Sequence, residues 1–162
     1  MKKTKRLAGA RAKHEGQLFE ARFKHLSWVS GWHCEQIPSG CKWLGKNRIV
    51  GVPTPFDFLL CKAGRVIFCD VKSINDDKFS YSKLERHQVK SLSMIGEQTL
   101  PAGYIINFRP IGSYYFFSWD QLAGLKPRES LKPVYGICVG DDNGLTLGNI
   151  FHESSSENQT II

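Results

Sequence analysis

The chain has 162 residues, 41% of them hydrophobic and 23% charged, with a formal net charge of +7. That length and apolar content suit one folded domain with its own core and exclude a disordered chain. No apolar run is long enough to cross a membrane. The positive charge points to a polyanionic partner, and nucleic acid is the usual one. The five cysteines, Cys34, Cys41, Cys61, Cys69 and Cys138, fit neither zinc spacing nor a disulfide framework, so a reduced, cytoplasmic chain is expected.

Residues 1–13, MKKTKRLAGARAK, lack the apolar segment of a signal peptide and read as a basic flexible arm. Residues 14–152 form the domain, and the polar residues 153–162 read as a flexible tail. The domain opens with a helix over residues 14–30, whose apolar stripe is Phe19, Phe23, Leu26 and Val29. Glu20 flanks that stripe, so its carboxylate can turn toward the sheet. Residues 31–47 are rich in Gly, Cys, Lys and Trp and read as loop, followed by a short strand over Arg48–Val52. Trp28, Trp32 and Trp43 read as packing residues. Arg11, Lys13, Lys42, Lys46 and Arg48 are the candidate contacts to a phosphate backbone, which give affinity without sequence specificity.

Next comes TPFDFLLCKAGRVIFCDVKS, Thr54 to Ser73. Phe56–Cys61 and Val66–Val71 are apolar, β-branched and aromatic, as strands should be, and Lys62-Ala63-Gly64-Arg65 reads as the turn between them. With Ala63 and Gly64 as a two-residue turn, Asp57 falls opposite Asp70. With one more residue and a bulge at Gly64, the two acids become near-diagonal neighbours. Side chains alternate along a strand, so Asp70 and Lys72 share a face and Val71 points away. Like charges opposite each other in an apolar sheet are destabilising, and a divalent cation is the simplest offset. The competing reading is a solvated hairpin whose acids pair with Lys72 or Arg65.

A second helix is expected over residues 82–95, with Ser82 as N-cap and Glu85 completing a capping box. Tyr104–Phe108 and Tyr114–Trp119 read as buried strands, Ser118–Gly124 as a short helix, and Val134–Val139 as a further strand. The class is α/β, a mixed sheet with helices against it.

These residues resemble the PD-(D/E)XK nuclease superfamily, whose acid, spacer and Asp/Glu-X-Lys stand here as Pro55-Phe56-Asp57 and Asp70-Val71-Lys72. A narrower resemblance is to the RecU-type Holliday junction resolvases of Gram-positive bacteria and related phage proteins. Gly16-Gln17-Leu18-Phe19-Glu20 is similar to that family's N-terminal helix motif, and Thr54-Pro55-Phe56-Asp57 to its Thr-x-x-Asp segment. The tight hairpin through Lys72, Phe79-Ser80 before a helix with His87-Gln88, and Trp119-Asp120-Gln121-Leu122 continue the match over about residues 14–130. The chain departs from the family in having Asp70 where Glu is usual, a short basic arm, and little room in residues 31–53 for a protruding stalk.

The resemblance implies a restriction-endonuclease-like fold in a single domain and an Mg²⁺-dependent endonuclease, with Mn²⁺ as a substitute. Its partner would be DNA, branched or four-way, cut by a homodimer in a bacterial or phage-infected cell. Asp57 and Asp70 supply the hard oxygen ligands that phosphodiester hydrolysis needs. By resemblance the Val71 carbonyl is a further ligand, Glu20 serves a second metal or a metal-bound water, and Gln88 positions water or phosphate. Lys72 orients the attacking water or stabilises the transition state. Thr54 either contacts a phosphate oxygen or ends a strand. The alternatives are another nuclease on this fold (repair, flap or restriction-like) and a DNA-binding accessory without catalysis.

Overall fold

The computed structural model describes residues 2–38, 40–43 and 49–156; residues 2–13, 41–43, 49 and 153–156 are described as backbone only. In chain order the elements are α1 (Lys2–Val29), β1 (His33–Gln36), β2 (Gly40–Trp43), β3 (Ile49–Val52), β4 (Phe58–Lys62), β5 (Arg65–Ile74), β6 (Phe79–Ser80) and α2 (Arg86–Gly96). Then follow β7 (Ala102–Phe108), β8 (Ser113–Ser118), α3 (Trp119–Gly124), β9 (Ser130–Leu131), β10 (Ile137–Asp141), β11 (Gly144–Leu145) and α4 (Asn149–Ser156).

Seven strands form one mixed sheet in the order β1-β4-β5-β7-β8-β10-β11. The β5–β7 pair is parallel and the other ladders of this sheet are antiparallel. The connection from β5 to β7 carries α2, as a parallel pair requires. β7 lies centrally and is buried along its whole length, which is why AGYIINF reads as a continuous apolar run rather than an alternation. Each face of the sheet has its own core. On the α1 side Phe23 and Leu26 pack with Phe58, Leu60, Ile67, Cys69 and Ile105. On the other side Leu92 and Leu122 pack with Tyr104, Ile106, Phe108 and Phe117.

Several local expectations need correction. The helix expected from residue 14 runs from Lys2, so the basic segment is continuous with it in backbone. Val29 is 51% exposed, and the inward positions are Phe19, Phe23, Leu26 and Ser27, whose hydroxyl donates to Phe23 O at 2.9 Å. Trp28 is 72% exposed, whereas Trp32 packs in the core. The stretch read as loop holds β1, which pairs with β4, and β2, which pairs with β3 in a separate ribbon. Only Cys34 of β1 faces inward, too little apolar pattern to announce a strand.

The second helix begins at Arg86, after a 3-10 turn over Tyr81–Lys83. Ser82 Oγ lies 2.9 Å from Ser80 Oγ, and the residue flanking α2 is Glu85, with no side-chain cap. The capping box forms instead on α3, from Ser118 and Gln121. Val134 falls in a 3-10 turn ahead of β10. Residues 153–156 continue α4, and the rest of the expected tail lies outside the described residues.

Candidate active site

The hairpin register settles the first geometric question. β4 pairs with β5 from Phe58↔Cys69 to Lys62↔Arg65, with Ala63 and Gly64 as the two turn residues. Their φ values of 49° and 77° are those of a type I′ turn, which matches the twist of the flanking strands. There is no bulge, and Asp57 stands one residue before β4, level with Asp70. Its backbone is held on both sides. The Asp57 amide donates to Cys69 O at 3.2 Å, and its carbonyl accepts from Ile37 N at 2.8 Å.

β4 begins at Phe58, whereas β5 continues to Ile74 with only β7 beside it. The Cys69 carbonyl points to the β4 side. Backbone direction alternates along a strand, so the carbonyls of Val71 and Ser73 point the same way, into the space beyond the end of β4. Val71 thus turns its side chain into the core and its carbonyl into an opening. A cavity of about 370 Å³ occupies that opening, lined by Gly16, Glu20, Asp57, Val71, Lys72, Ser73 and Arg109 among others.

Asp70 lies behind this lining with no exposure, and α2 lays Gln88 over it. Gln88 Nε2 donates to Asp70 Oδ1 at 2.6 Å and, more weakly, to Asp57 Oδ1 at 3.4 Å. Tyr104 donates its hydroxyl to Gln88 Oε1 at 3.0 Å, which fixes the amide's orientation. Asp70 Oδ2 is 2.7 Å from Lys72 Nζ as an ion pair, yet no donor is aligned on it for a hydrogen bond. Lys72 also donates to Glu85 Oε1 at 2.7 Å. Burial, then the neighbouring Asp57 carboxyl, pushes the Asp70 carboxyl well above its ordinary pKa. Burial alone would lower the Lys72 ammonium; the charge of Asp70 and the contacts to Asp70 and Glu85 outweigh it and raise it. Glu20 is half-buried and accepts from Gln36 Nε2 at 2.8 Å. Burial and then the charge of Asp57 raise its pKa.

These contacts suit a hard divalent cation. A buried carboxylate oxygen without an aligned donor, a second carboxylate beside it and a carbonyl aimed into the same opening are oxygen donors only. Among the described residues no group of three or more His, Cys, Asp or Glu forms a ligating cluster. Magnesium does not need one, since it retains waters and takes one or two carboxylates together with substrate phosphate.

The fold has a solved counterpart. The structure of Hjc from Archaeoglobus fulgidus, a Holliday junction resolvase from an archaeal hyperthermophile, superposes with a TM-score of 0.53, covering 76% of this chain and 95% of that one. The chain shares the fold of Hjc. The identity is 16%, so the likeness is one of fold. It carries the restriction-endonuclease-like architecture expected from the sequence and does not single out the RecU type. No family model and no curated protein matches the chain.

The structure brings Glu20, Asp57, Asp70, Val71, Lys72 and Gln88 together. Thr54 is half-buried in the link between β3 and β4 and does not line the cavity. Arg11, Lys13 and Lys42 are described as backbone only, and Lys46 and Arg48 lie outside the described residues. Four participants were not singled out for the site: Glu85 on Lys72, Tyr104 on Gln88, Gln36 on Glu20, and Arg109 in the cavity wall. Only Glu85 has a sequence signal, an acid shortly before His87-Gln88, and its spacing from Ser82 predicts a capping role instead. Among the described residues no helix is long and apolar enough to cross a membrane.

Proposed function

We propose that the protein is an Mg²⁺-dependent, structure-selective DNA endonuclease that resolves four-way junctions by paired symmetric nicks. The observation that carries this reading is the grouping of Asp57, Val71 and Lys72 at one opening in the edge of a sheet with this fold, with buried Asp70 behind them, paired to Lys72 and joined to Asp57 through Gln88. Asp57, Asp70 and the Val71 carbonyl would hold the metal, and Glu20 lines the same cavity. When bound, Mg²⁺ lowers the pKa of an attacking water and neutralises charge on the phosphate. Gln88 links the two acids by donating to both. Lys72, charged and held between Asp70 and Glu85, orients the water or stabilises the negative transition state. The net charge of +7 favours the DNA backbone. A two-fold symmetric junction needs two equivalent sites, so the active form would be a homodimer.

The test is cleavage of a labelled four-way junction beside a linear duplex of the same arms, with Mg²⁺ and with EDTA, by wild type and Asp70→Asn. The expected result is paired nicks on the junction, lost with EDTA and in the variant, which still binds DNA as well as or better than wild type because one negative charge near phosphate is gone. Cuts confined to other substrates would discard the resolvase and keep the nuclease. Normal cleavage by Asp70→Asn would overturn the site assignment. Salt-sensitive binding without any cut would favour an accessory without catalysis.

A further inference from the structure

The cavity holds two cationic side chains among its lining residues, and they are differently engaged. Lys72 Nζ is bound at 2.7 Å to Asp70 and at 2.7 Å to Glu85. Arg109 is exposed and forms no ion pair among the described residues, although Glu20 and Asp57 line the same hollow. Arg109 opens a 3-10 turn, Arg109–Ile111, directly after β7. Pro110 stiffens this turn, and Gly112 closes it at φ 63° with its amide on Phe108 O at 3.0 Å and Arg109 O at 3.2 Å. The parallel register sets Ser73 against Asn107 and Ile74 against Phe108, so Arg109 begins just past the end of β5. Ser73 shares the backbone direction of Cys69 and Val71, so its amide faces the side that β4 has left. A guanidinium, a hydroxyl and an amide unclaimed by β4 therefore stand in the cavity lining, together with the acids Glu15, Glu20 and Asp57.

We infer that Arg109 and Ser73 form a seat for one backbone phosphate of the strand being cut, beside the acids rather than among them. The inference rests on the nuclease reading and adds to it the residue that holds the substrate. Guanidinium offers a planar fork matched to two phosphate oxygens, and it stays charged at any working pH. The seat supplies what Lys72, tied to two carboxylates, does not supply: a free positive charge inside an acidic cavity that must admit a polyanion. Its geometry is set by the turn and by the β5–β7 register, so it holds the phosphate at a fixed distance from Asp57 and Asp70.

Arg109→Ala and Arg109→Lys test this beside Asp70→Asn. In EDTA, Arg109→Ala should shallow the dependence of junction affinity on salt by about one phosphate contact, a slope change of about 0.9. In Mg²⁺ its KM should rise about 10- to 100-fold with kcat within a few-fold. Arg109→Lys, which keeps the charge and loses the fork, should fall between. A single neutral methylphosphonate, moved one position at a time near the cut, should weaken wild type at one position and leave Arg109→Ala no weaker there. Unchanged salt slope and KM in Arg109→Ala, with Asp70→Asn inactive, would overturn the seat and leave the nuclease standing. Normal cleavage by Asp70→Asn would overturn the assignment of the active site to these acids, and the salt slope in EDTA would still decide the role of Arg109. Failure of wild type to bind a junction at low salt would overturn both.

Discussion

The two halves of β5 are built differently. Arg65–Cys69 lies against β4, across a two-residue turn, and Ile67 and Cys69 are fully buried. Phe68–Ile74 lies against β7, which begins nearly thirty residues later in the chain, and its opposite edge is open from Asp70 onward. The first half is a local hairpin with an apolar inner face. The second half takes its place from a distant strand and carries Asp70 and Lys72 into a network with α2. The alternation of side chains runs unbroken through both. What differs is the neighbour, and the early end of β4 turns an ordinary strand edge into an opening where carbonyl and carboxylates meet. Chemistry is concentrated where the sheet is incomplete, and stability where it is complete.

The largest expected break in this comparison is on the open half. Lys72→Met removes the charge paired with buried Asp70 and should reduce cleavage about 100- to 1000-fold at saturating metal. Single-turnover cleavage by protein confirmed folded by circular dichroism checks it; a rate within a few-fold of wild type would remove Lys72 from the chemistry. The complementary change is on the closed half. Ile67→Ala should lower unfolding free energy by about 2–5 kcal/mol, read from denaturant melts, while turnover per folded molecule stays within about two-fold. A large loss of turnover in the folded fraction would mean that the halves are mechanically coupled.

A smaller effect is expected at the bridge between the acids. Gln88→Leu removes the donor to Asp70 and Asp57 and the acceptor for Tyr104. Apparent Mg²⁺ affinity, taken from metal titration of cleavage, should weaken about 10- to 100-fold, the range for a group that orients a ligand. An unaltered titration curve would make Gln88 a packing residue only.

How far the site was legible follows the same division. The hairpin, its turn and the shared face of Asp70 and Lys72 could be read directly, because turn chemistry and a period of two are local rules. Glu20 stands out by flanking an apolar helix stripe and Gln88 only through resemblance, and their contacts to Gln36 and Asp70 come from elements far apart in the chain. The local context of Glu85, three residues after a serine, is also that of a helix start and predicts a cap. In the fold, Lys72 claims its carboxylate, and α2 begins without a side-chain cap. β1 went unseen because a four-residue strand with one buried side chain carries almost no pattern.

By itself, then, the amino-acid sequence determined the strand pair, the nearness of Asp57 and Asp70 across it, and the presence of Lys72 on the face of Asp70; the register that makes the two acids level is read from the structure. Each depends only on residues within one hairpin. Tertiary structure alone decided that β5 continues past β4, that α2 lies over the acids and that Arg109 lines the cavity. Those placements follow from a parallel pairing whose partners are 34 residues apart, and no local periodicity encodes a contact between segments so distant.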